Sequence, residues 1–179
     1  MLTKMPQKSE NNLEQEKMKN LLNSFAPINS KEAKMKLKLR KAKLKDFKEI
    51  AEIYKTEFSK SPYNEKWTFP IAFNKVKIFS RYCDIYVLEY EKEIVGFIVV
   101  NPYEMFPGSV AFGEEIAVKS EFQRRGFGTF ILKEIFKIYK KRGYERFIGI
   151  ASKKGPIKLY KRINLIQSKI DVLVERKLR

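Results

Sequence analysis

Apolar and polar residues alternate with two different periods along this chain, and the order of those periods predicts a mixed α/β fold. Leu37 and Leu39 alternate with basic residues, which is typical of a half-buried strand. Apolar residues three or four apart then predict two helices, over about residues 46–58 and 64–82. In the second helix, Pro70 marks either the true start or a kink.

Three strands and a third helix are predicted next. Residues 85–88 and 94–100 are β-rich, and the short polar segment between them indicates an antiparallel hairpin. Residues 110–118 predict a further strand. The helix after it has an apolar face that continues to about Arg142, and Gly143 is the expected C-terminal cap.

The last predicted elements complete one domain. Residues 147–150 predict a short buried strand, residues 156–162 a short helix, and the alternation over 170–175 a final strand. The expected fold class is therefore α/β, with a mixed, mostly antiparallel sheet flanked by helices, over residues 36–179. Residues 1–35 are a polar N-terminal extension, for which disorder and one short amphipathic helix both stay open.

Composition excludes several classes of chemistry. The chain has 179 residues and a single cysteine, Cys83, so no disulfide framework forms within it, and it has no histidine. Imidazole catalysis and metal sites built on histidine or cysteine clusters are excluded, and no metal is expected. No apolar run approaches the roughly 20 residues that a membrane helix needs. These features predict a cytoplasmic protein without a membrane partner.

The net charge of +17, from 38 basic and 21 acidic residues, indicates an anionic ligand. A solvated, lysine-rich surface explains part of the same excess. A basic nucleic-acid-binding domain is the least favoured interpretation, because the chain has no RNA-binding aromatic strand motif.

The segment from Glu114 to Thr129 carries the strongest functional signal. It predicts a strand, a short basic turn with two glycines, and the start of a helix. Unpaired backbone N–H groups and the helix dipole make such a turn a natural anion site, and Arg124 and Arg125 add positive charge. The glycine patterns of dinucleotide-binding folds and of nucleoside triphosphatases are absent. An anion site suited to a diphosphate is therefore predicted.

The run Gln123-Arg124-Arg125-Gly126-Phe127-Gly128 resembles the Gln/Arg-x-x-Gly-x-Gly/Ala motif of the GNAT family of N-acetyltransferases, and the order of elements resembles that family over about residues 36–176. The resemblance implies the acyl-CoA N-acyltransferase fold, with acetyl-CoA as co-substrate. It also implies that the backbone of Ile116, Ala117 and Val118 pairs with the pantetheine arm. The residues that would line the pyrophosphate pocket are Arg124, Arg125, Gly126, Phe127, Gly128 and Thr129.

Acyl transfer to an amine also needs a proton donor for the departing thiolate. Tyr160 is the candidate, because Leu159-Tyr160 resembles the family's Leu-Tyr pattern and a phenol stays protonated at neutral pH. A purely structural, core tyrosine is the alternative. The family often has Asn, Ala and Gly at the positions held here by Lys153, Pro156 and Asn164. Lys153 could meet a CoA phosphate instead of the pantetheine arm.

A base is needed as well, because an ammonium group cannot attack. Glu114 and Glu115 lie on the strand that leads into the turn, and Glu114 matches the acidic position of some polyamine-type members of the family. Strand alternation predicts that the two side chains point to opposite faces, so that one of them faces the acceptor. Glu114, Glu115 and a base acting through water all stay open.

These features together predict a cytoplasmic N-acetyltransferase that moves acetyl from acetyl-CoA to a primary amine by direct attack in a ternary complex. The acceptor is left open between a protein N-terminus, a lysine and a small amine, and the protein between a monomer and a homodimer. A non-catalytic acyl-CoA-binding regulator with the same fold is the main alternative.

Overall fold

A five-stranded sheet with helices on both faces organises the domain. The computed structural model describes residues 36–151, 157–168 and 176, so the extension over 1–35 and the predicted strand over 170–175 lie outside the described residues. The elements in chain order are β1 Leu37–Lys41, α1 Phe47–Phe58, α2 Phe69–Tyr82, β2 Asp84–Tyr90, β3 Glu93–Asn101, β4 Val110–Val118, α3 Phe127–Lys141, β5 Arg146–Gly149 and α4 Ile157–Arg162.

The sheet has the strand order β1-β2-β3-β4-β5. The first three pairings are antiparallel and the last, β4 with β5, is parallel, which confirms the expected mixed, mostly antiparallel sheet. The predicted hairpin is the β2–β3 pair. Its turn residues Glu91 and Lys92 both have positive φ, the conformation that matches the right-handed twist of a tight hairpin.

Two apolar cores lie on opposite faces of the sheet. On one face, α1 and α2 pack on alternate strand residues such as Val87, Phe97 and Val99. On the other face, α3 packs on residues of opposite parity, among them Leu88 and Ile98. This alternation of buried residues in the central strands follows from the period of two in a β-strand, because a strand covered on both faces buries both sets.

Both helix boundaries that glycine and proline predict are present. Helix α2 begins at Phe69 with Pro70 in its first turn, so the proline marks the true start and not a kink. Helix α3 ends at Lys141, and Gly143 follows with a φ of 89°. Strand β5 differs from the prediction, because its residues are half-buried or exposed rather than buried. It is the terminal strand among the described residues, and it pairs with β4 alone.

Strands β4 and β5 separate at a pair of glycines. Gly113 and Gly149 are the last partners in the parallel ladder, and a Cβ at Gly113 would come within 2.7 Å of the Phe147 ring. Strand β4 continues for five more residues, to Val118, while β5 ends. The close approach at Gly113 is therefore the last point at which β4 and β5 pair in the described part of the chain. No helix in the described part of the chain is long and apolar enough to cross a membrane.

Candidate active site

The edge of β4 beyond Gly113 is the first component of the site. Within the described residues, β3 pairs with one edge of Glu114–Val118, and no strand pairs with the other. The Lys119 N–H donates to the Val95 carbonyl at 2.9 Å, so Ala117, two residues earlier, also directs its backbone groups towards β3. Ile116 and Val118 therefore direct their N–H and C=O groups to the open edge. Of the three residues expected to pair with pantetheine, these two present backbone groups there.

The second component is the start of α3, which lies directly after that edge. Gly126 precedes the helix with a φ of 97°, and Arg124 is also left-handed with a φ of 59°. Among the described residues, no side chain caps the first turn of α3. The first N–H groups of a helix have no intrahelical acceptor, so they stay open to an anion, and the dipole favours a negative charge.

The two arginines of the turn have different environments. Arg124 is exposed, whereas Arg125 is only 8 % exposed. The Arg125 guanidinium lies against the rings of Tyr90, Phe122 and Phe127, between 5.1 and 5.9 Å from their centroids. Its Nε has no hydrogen-bond acceptor in the described part of the chain. Arg125 thus places a cation behind the turn, held by cation–π contacts.

Glu114 and Glu115 point towards the same side of the sheet, contrary to the prediction from alternation. Val99 pairs with Glu115 and Val100 with Gly113, so Glu114 is an extra residue in β4 and forms a β-bulge. A bulge breaks the alternation of side chains and re-aims one of them. The Glu114 carboxylate accepts a hydrogen bond from Asn101, which shares its face of β3 with Val99 and hence with α1 and α2.

Glu115 has a partner on α1. The Tyr54 hydroxyl donates to the Glu115 carboxylate at 2.6 Å, and Tyr54 is 2 % exposed. Burial raises the pKa of Glu115 above the usual carboxyl range, although the bond from Tyr54 and the charge of Lys75 oppose that shift. Burial, together with the Glu115 charge, raises the pKa of Tyr54, so its hydroxyl stays protonated and donates. A carboxylate with a raised pKa is a stronger base.

Glu114 lies close to another carboxylate, that of Glu104. The buried Asn101 side-chain amide donates to Glu114 at 2.9 Å and to Glu104 at 3.1 Å, which brings the two carboxylates together. The negative charge of Glu65, in the α1–α2 loop, raises the pKa of Glu115 further. We call these four residues, Glu65, Glu104, Glu114 and Glu115, the acidic face. Its negative charge contrasts with the net charge of +17 of the whole chain.

Tyr160 lies on α4, half-buried, and packs against the α3-side core. Burial raises its pKa, and Tyr63 in the α1–α2 loop adds to the shift. Burial and the charge of Glu115 raise the pKa of Tyr63 in turn. Tyr63 is therefore electrostatically coupled to two of the three predicted catalytic residues, Tyr160 and Glu115. A phenol with a raised pKa keeps its proton at neutral pH and can donate it.

Several residues that shape the site had no signal in the sequence. Tyr54, Glu65 and Asn101 are partners of the predicted residues, but they lie on other elements, 13 residues away for Asn101 and 61 for Tyr54, and single-sequence patterns report only local structure. Glu57 of α1 is a further example, with contacts to the segment that enters the turn. Lys153 and Pro156, where the chain departs from the family pattern, lie outside the described residues. Asn164 follows α4 with a φ of 60°, the left-handed conformation that glycine adopts easily and that asparagine tolerates.

Within the described ranges, no group of three or more His, Cys, Asp and Glu residues is arranged to hold a metal ion. The arrangement consists instead of an open strand edge, an anion-binding turn, a carboxylate with a raised pKa and a protonated phenol. Such a set suits a ligand with amides and a diphosphate, and a reaction that moves protons.

Comparison with known proteins agrees with this geometry. A sequence model of the acetyltransferase (GNAT) family matches residues 47–164. No curated protein matches the chain in sequence. Among solved structures, a possible acetyltransferase from Clostridium difficile 630 is similar, with a TM-score of 0.67 and 14 % identity over 80 % of this chain and 99 % of that one.

Two further structures have the same fold. An aminoglycoside N-acetyltransferase in complex with CoA has a TM-score of 0.63 and 14 % identity, and the match covers 80 % of this chain and 95 % of that chain. A ribosomal-protein-alanine N-acetyltransferase from Brucella melitensis biovar Abortus 2308 has a TM-score of 0.62 and 15 % identity, over 79 % and 99 % of the two chains. At these identities the likeness shows the fold alone.

Proposed function

Because this chain belongs to the GNAT family of acetyltransferases, we propose that it moves the acetyl group of acetyl-CoA to a primary amine by direct attack in a ternary complex. One observation carries the proposal: the open edge of β4 ends at Val118, and the short segment that follows ends at the uncapped start of α3, at Phe127. Pantetheine amides can pair with a strand edge, and a diphosphate can bind helix N–H groups. The two halves of CoA therefore have adjacent sites in the order that its structure requires.

The pantetheine arm pairs with Ile116 and Val118, and the diphosphate binds the amides of residues 124–129, with Arg125 as a cation behind them. Gln123 already donates to the Val118 carbonyl at 2.8 Å, so the Val118 N–H is the group left for the arm. This placement directs the thioester towards Gly113, where β4 and β5 separate. The thioester then lies near the bulge that carries Glu114 and Glu115.

Glu115 acts as the base and Tyr160 as the acid. The Glu115 carboxylate takes a proton from the acceptor ammonium, and the freed amine nitrogen attacks the thioester carbonyl carbon. The C–S bond breaks as the C–N bond forms, and the thiolate takes the phenolic proton of Tyr160. The new amide nitrogen then loses its second proton, which restores the Tyr160 phenol. The raised pKa of Glu115 supports its role, because it makes the carboxylate a stronger base. The Tyr160 phenol is protonated at neutral pH, as a proton donor requires. The lone thiol, Cys83, suits a reducing, cytoplasmic compartment.

The acidic face supports a small acceptor that carries more than one positive charge. Its four carboxylates lie on the α1/α2 side of the bulge, near the rings of Tyr63 and Trp67, which can bind ammonium groups by cation–π contacts. A protein N-terminus offers one charge, whereas a polyamine or an aminoglycoside offers several. The solved aminoglycoside acetyltransferases include one in complex with sisomicin, which is an observation on that protein.

A single panel experiment tests both parts of the proposal. Release of CoA from acetyl-CoA is measured with monoamines, di- and polyamines, an aminoglycoside and peptides with free N-termini. We expect turnover to be highest with the polycations and to fall with rising salt, since paired charges are screened. Glu104→Gln should raise the KM of the polycation and leave that of acetyl-CoA unchanged. Tight acetyl-CoA binding without turnover on any amine would instead favour a non-catalytic regulator.

A further inference from the structure

Glu57, near the end of α1, contacts the segment that enters the cofactor turn. Its carboxylate accepts hydrogen bonds from the Ser120 backbone N–H at 3.1 Å, the Ser120 hydroxyl at 2.8 Å and the Gln123 side-chain amide at 2.9 Å. Lys60 pairs with the same carboxylate at 3.1 Å, and the Glu57 side chain is only 10 % exposed. One carboxylate therefore joins α1 to both ends of the segment from Ser120 to Gln123.

These contacts determine where the turn lies relative to β4. The Gln123 side-chain amide has two N–H donors, and it uses one for Glu57 and the other for the Val118 carbonyl. Gln123 is thus held between α1 and the last residue of β4. The amides of residues 124–129 follow directly, so a shift of Gln123 would move them away from the open edge.

The charge of Glu57 is neutralised within this cluster. A free carboxylate close to a diphosphate would repel it, but this one accepts from three neutral donors and pairs with Lys60. Glu57 therefore suits a supporting role and not contact with the ligand. On the same helix, three residues earlier, Tyr54 donates to Glu115. Helix α1 consequently holds both the proposed base and the cofactor turn.

We propose that Glu57 is a positioning residue, which fixes the cofactor turn relative to β4 and to the base through Ser120 and Gln123. The proposal rests on the proposed function, because it assigns Glu57 to the binding of CoA. It gives α1 a second task besides packing on the sheet. Loss of the Glu57 carboxylate disorders the alignment of the amides without removing any group that contacts the ligand.

The test compares Glu57→Ala and Glu57→Gln with a matched control, Glu52→Gln. Glu52 lies on the same helix and pairs with Lys55 at the surface, without contact to the turn. Calorimetry with CoA and steady-state kinetics are measured for each variant. We expect Glu57→Ala to raise the Kd of CoA and the KM of acetyl-CoA by about tenfold, the worth of one charge-assisted hydrogen bond, with kcat at saturation little changed.

Glu57→Gln should recover part of the affinity, because its carbonyl oxygen still accepts from Ser120. Glu52→Gln should bind CoA as the wild type does. Ser120→Ala removes one donor and should have a smaller effect that does not add to that of Glu57→Ala, as expected for residues in one cluster. If Glu57→Ala does not fold, Glu57→Gln and Ser120→Ala carry the same comparison.

Three results overturn the assignment. If Glu57→Ala binds CoA as tightly as the wild type, Glu57 does not position the turn. The proposed function still stands in that case, because the wild type binds CoA. A loss of kcat with no change in CoA affinity has the same meaning. A wild-type protein that does not bind CoA overturns both the assignment and the proposed function.

Discussion

Gly128 allows the proposed diphosphate site to be tested without damage to the fold. It is the second residue of α3 and has ordinary helical geometry, unlike Gly126 with its φ of 97°. A Cβ at Gly128 would meet the Leu159 side chain at 3.5 Å, an ordinary van der Waals contact. Gly128→Asp therefore adds a carboxylate to the first turn of α3 without backbone strain, whereas a substitution at Gly126 would confound strain with lost binding.

The expected effects on stability and on binding have opposite signs. An acidic residue in the first turn of a helix stabilises it by about 0.5 kcal/mol, and replacement of a helical glycine adds up to about 1 kcal/mol. Against a bound diphosphate, two unit charges about 5 Å apart repel by about 3 kcal/mol at an effective dielectric constant of 20. That repulsion corresponds to a loss of about two orders of magnitude in CoA affinity.

Calorimetry with CoA and thermal unfolding without ligand measure the two effects separately. Gly128→Asn is the control, because it has the volume of aspartate without the charge, and Gly128→Ala tests a single methyl group. We expect Gly128→Asp to melt at or above the wild-type temperature, to bind CoA far more weakly than Gly128→Asn, and to regain affinity at high salt. A Gly128→Asp protein that binds CoA as tightly as Gly128→Asn would refute a diphosphate at this turn.

Three further outcomes are expected. Tyr160→Phe should lower kcat by about 10²-fold or more, as is typical when a general acid is lost, and leave the Kd of CoA unchanged. Full activity of this variant would mean that Tyr160 has only a structural role. Activity should increase with pH as Glu115 loses its proton, at a pH above the usual carboxyl range because its pKa is raised. Tyr54→Phe should shift this increase to higher pH, since the hydrogen bond from Tyr54 lowers the pKa of Glu115. If the same increase is measured in Glu115→Gln, another group is responsible for it. Asp84→Asn should cost about 2 kcal/mol in the free energy of unfolding at neutral pH, because the buried carboxylate loses charge-assisted hydrogen bonds from partners that are themselves exposed. Burial opposes the Asp84 charge, but bonds from Lys41, Arg142 and Tyr139 outweigh it and lower the folded pKa. In chemical denaturation the deficit should therefore begin to shrink below about pH 4, the unfolded pKa, and vanish as the pH falls through the lower, folded pKa.

The sequence predicted the elements that local chemistry determines. Pro70 locates the start of α2, Gly143 follows the end of α3, and the limits of β4 are those expected. Proline and glycine restrict the backbone by themselves, so their effect does not depend on distant parts of the chain. The motif from Gln123 to Gly128 is equally local, since only one 3-10 turn, Ser120–Phe122, lies between β4 and the turn that begins α3.

The arrangement of the site could not be predicted in the same way. The bulge at Glu114 depends on its pairing with β3, and the alternation rule fails wherever one residue is inserted. The partners Tyr54 and Glu115 are separated by 61 residues, and only the packed fold brings them together. Arg125 shows a different limit, because its charge predicts exposure while three neighbouring rings bury it.

Among the described residues, one edge of β4 beyond Gly113 has no partner strand, which also has a consequence for the protein without its ligand. An open strand edge can accept a strand from a second chain, which is a route to aggregation. Here the edge is short, and two glutamates at its beginning discourage a neighbouring chain. The proposed acetyl-CoA would cover the rest of this edge when bound. The co-substrate would then also prevent the edge from pairing with a second copy of the chain.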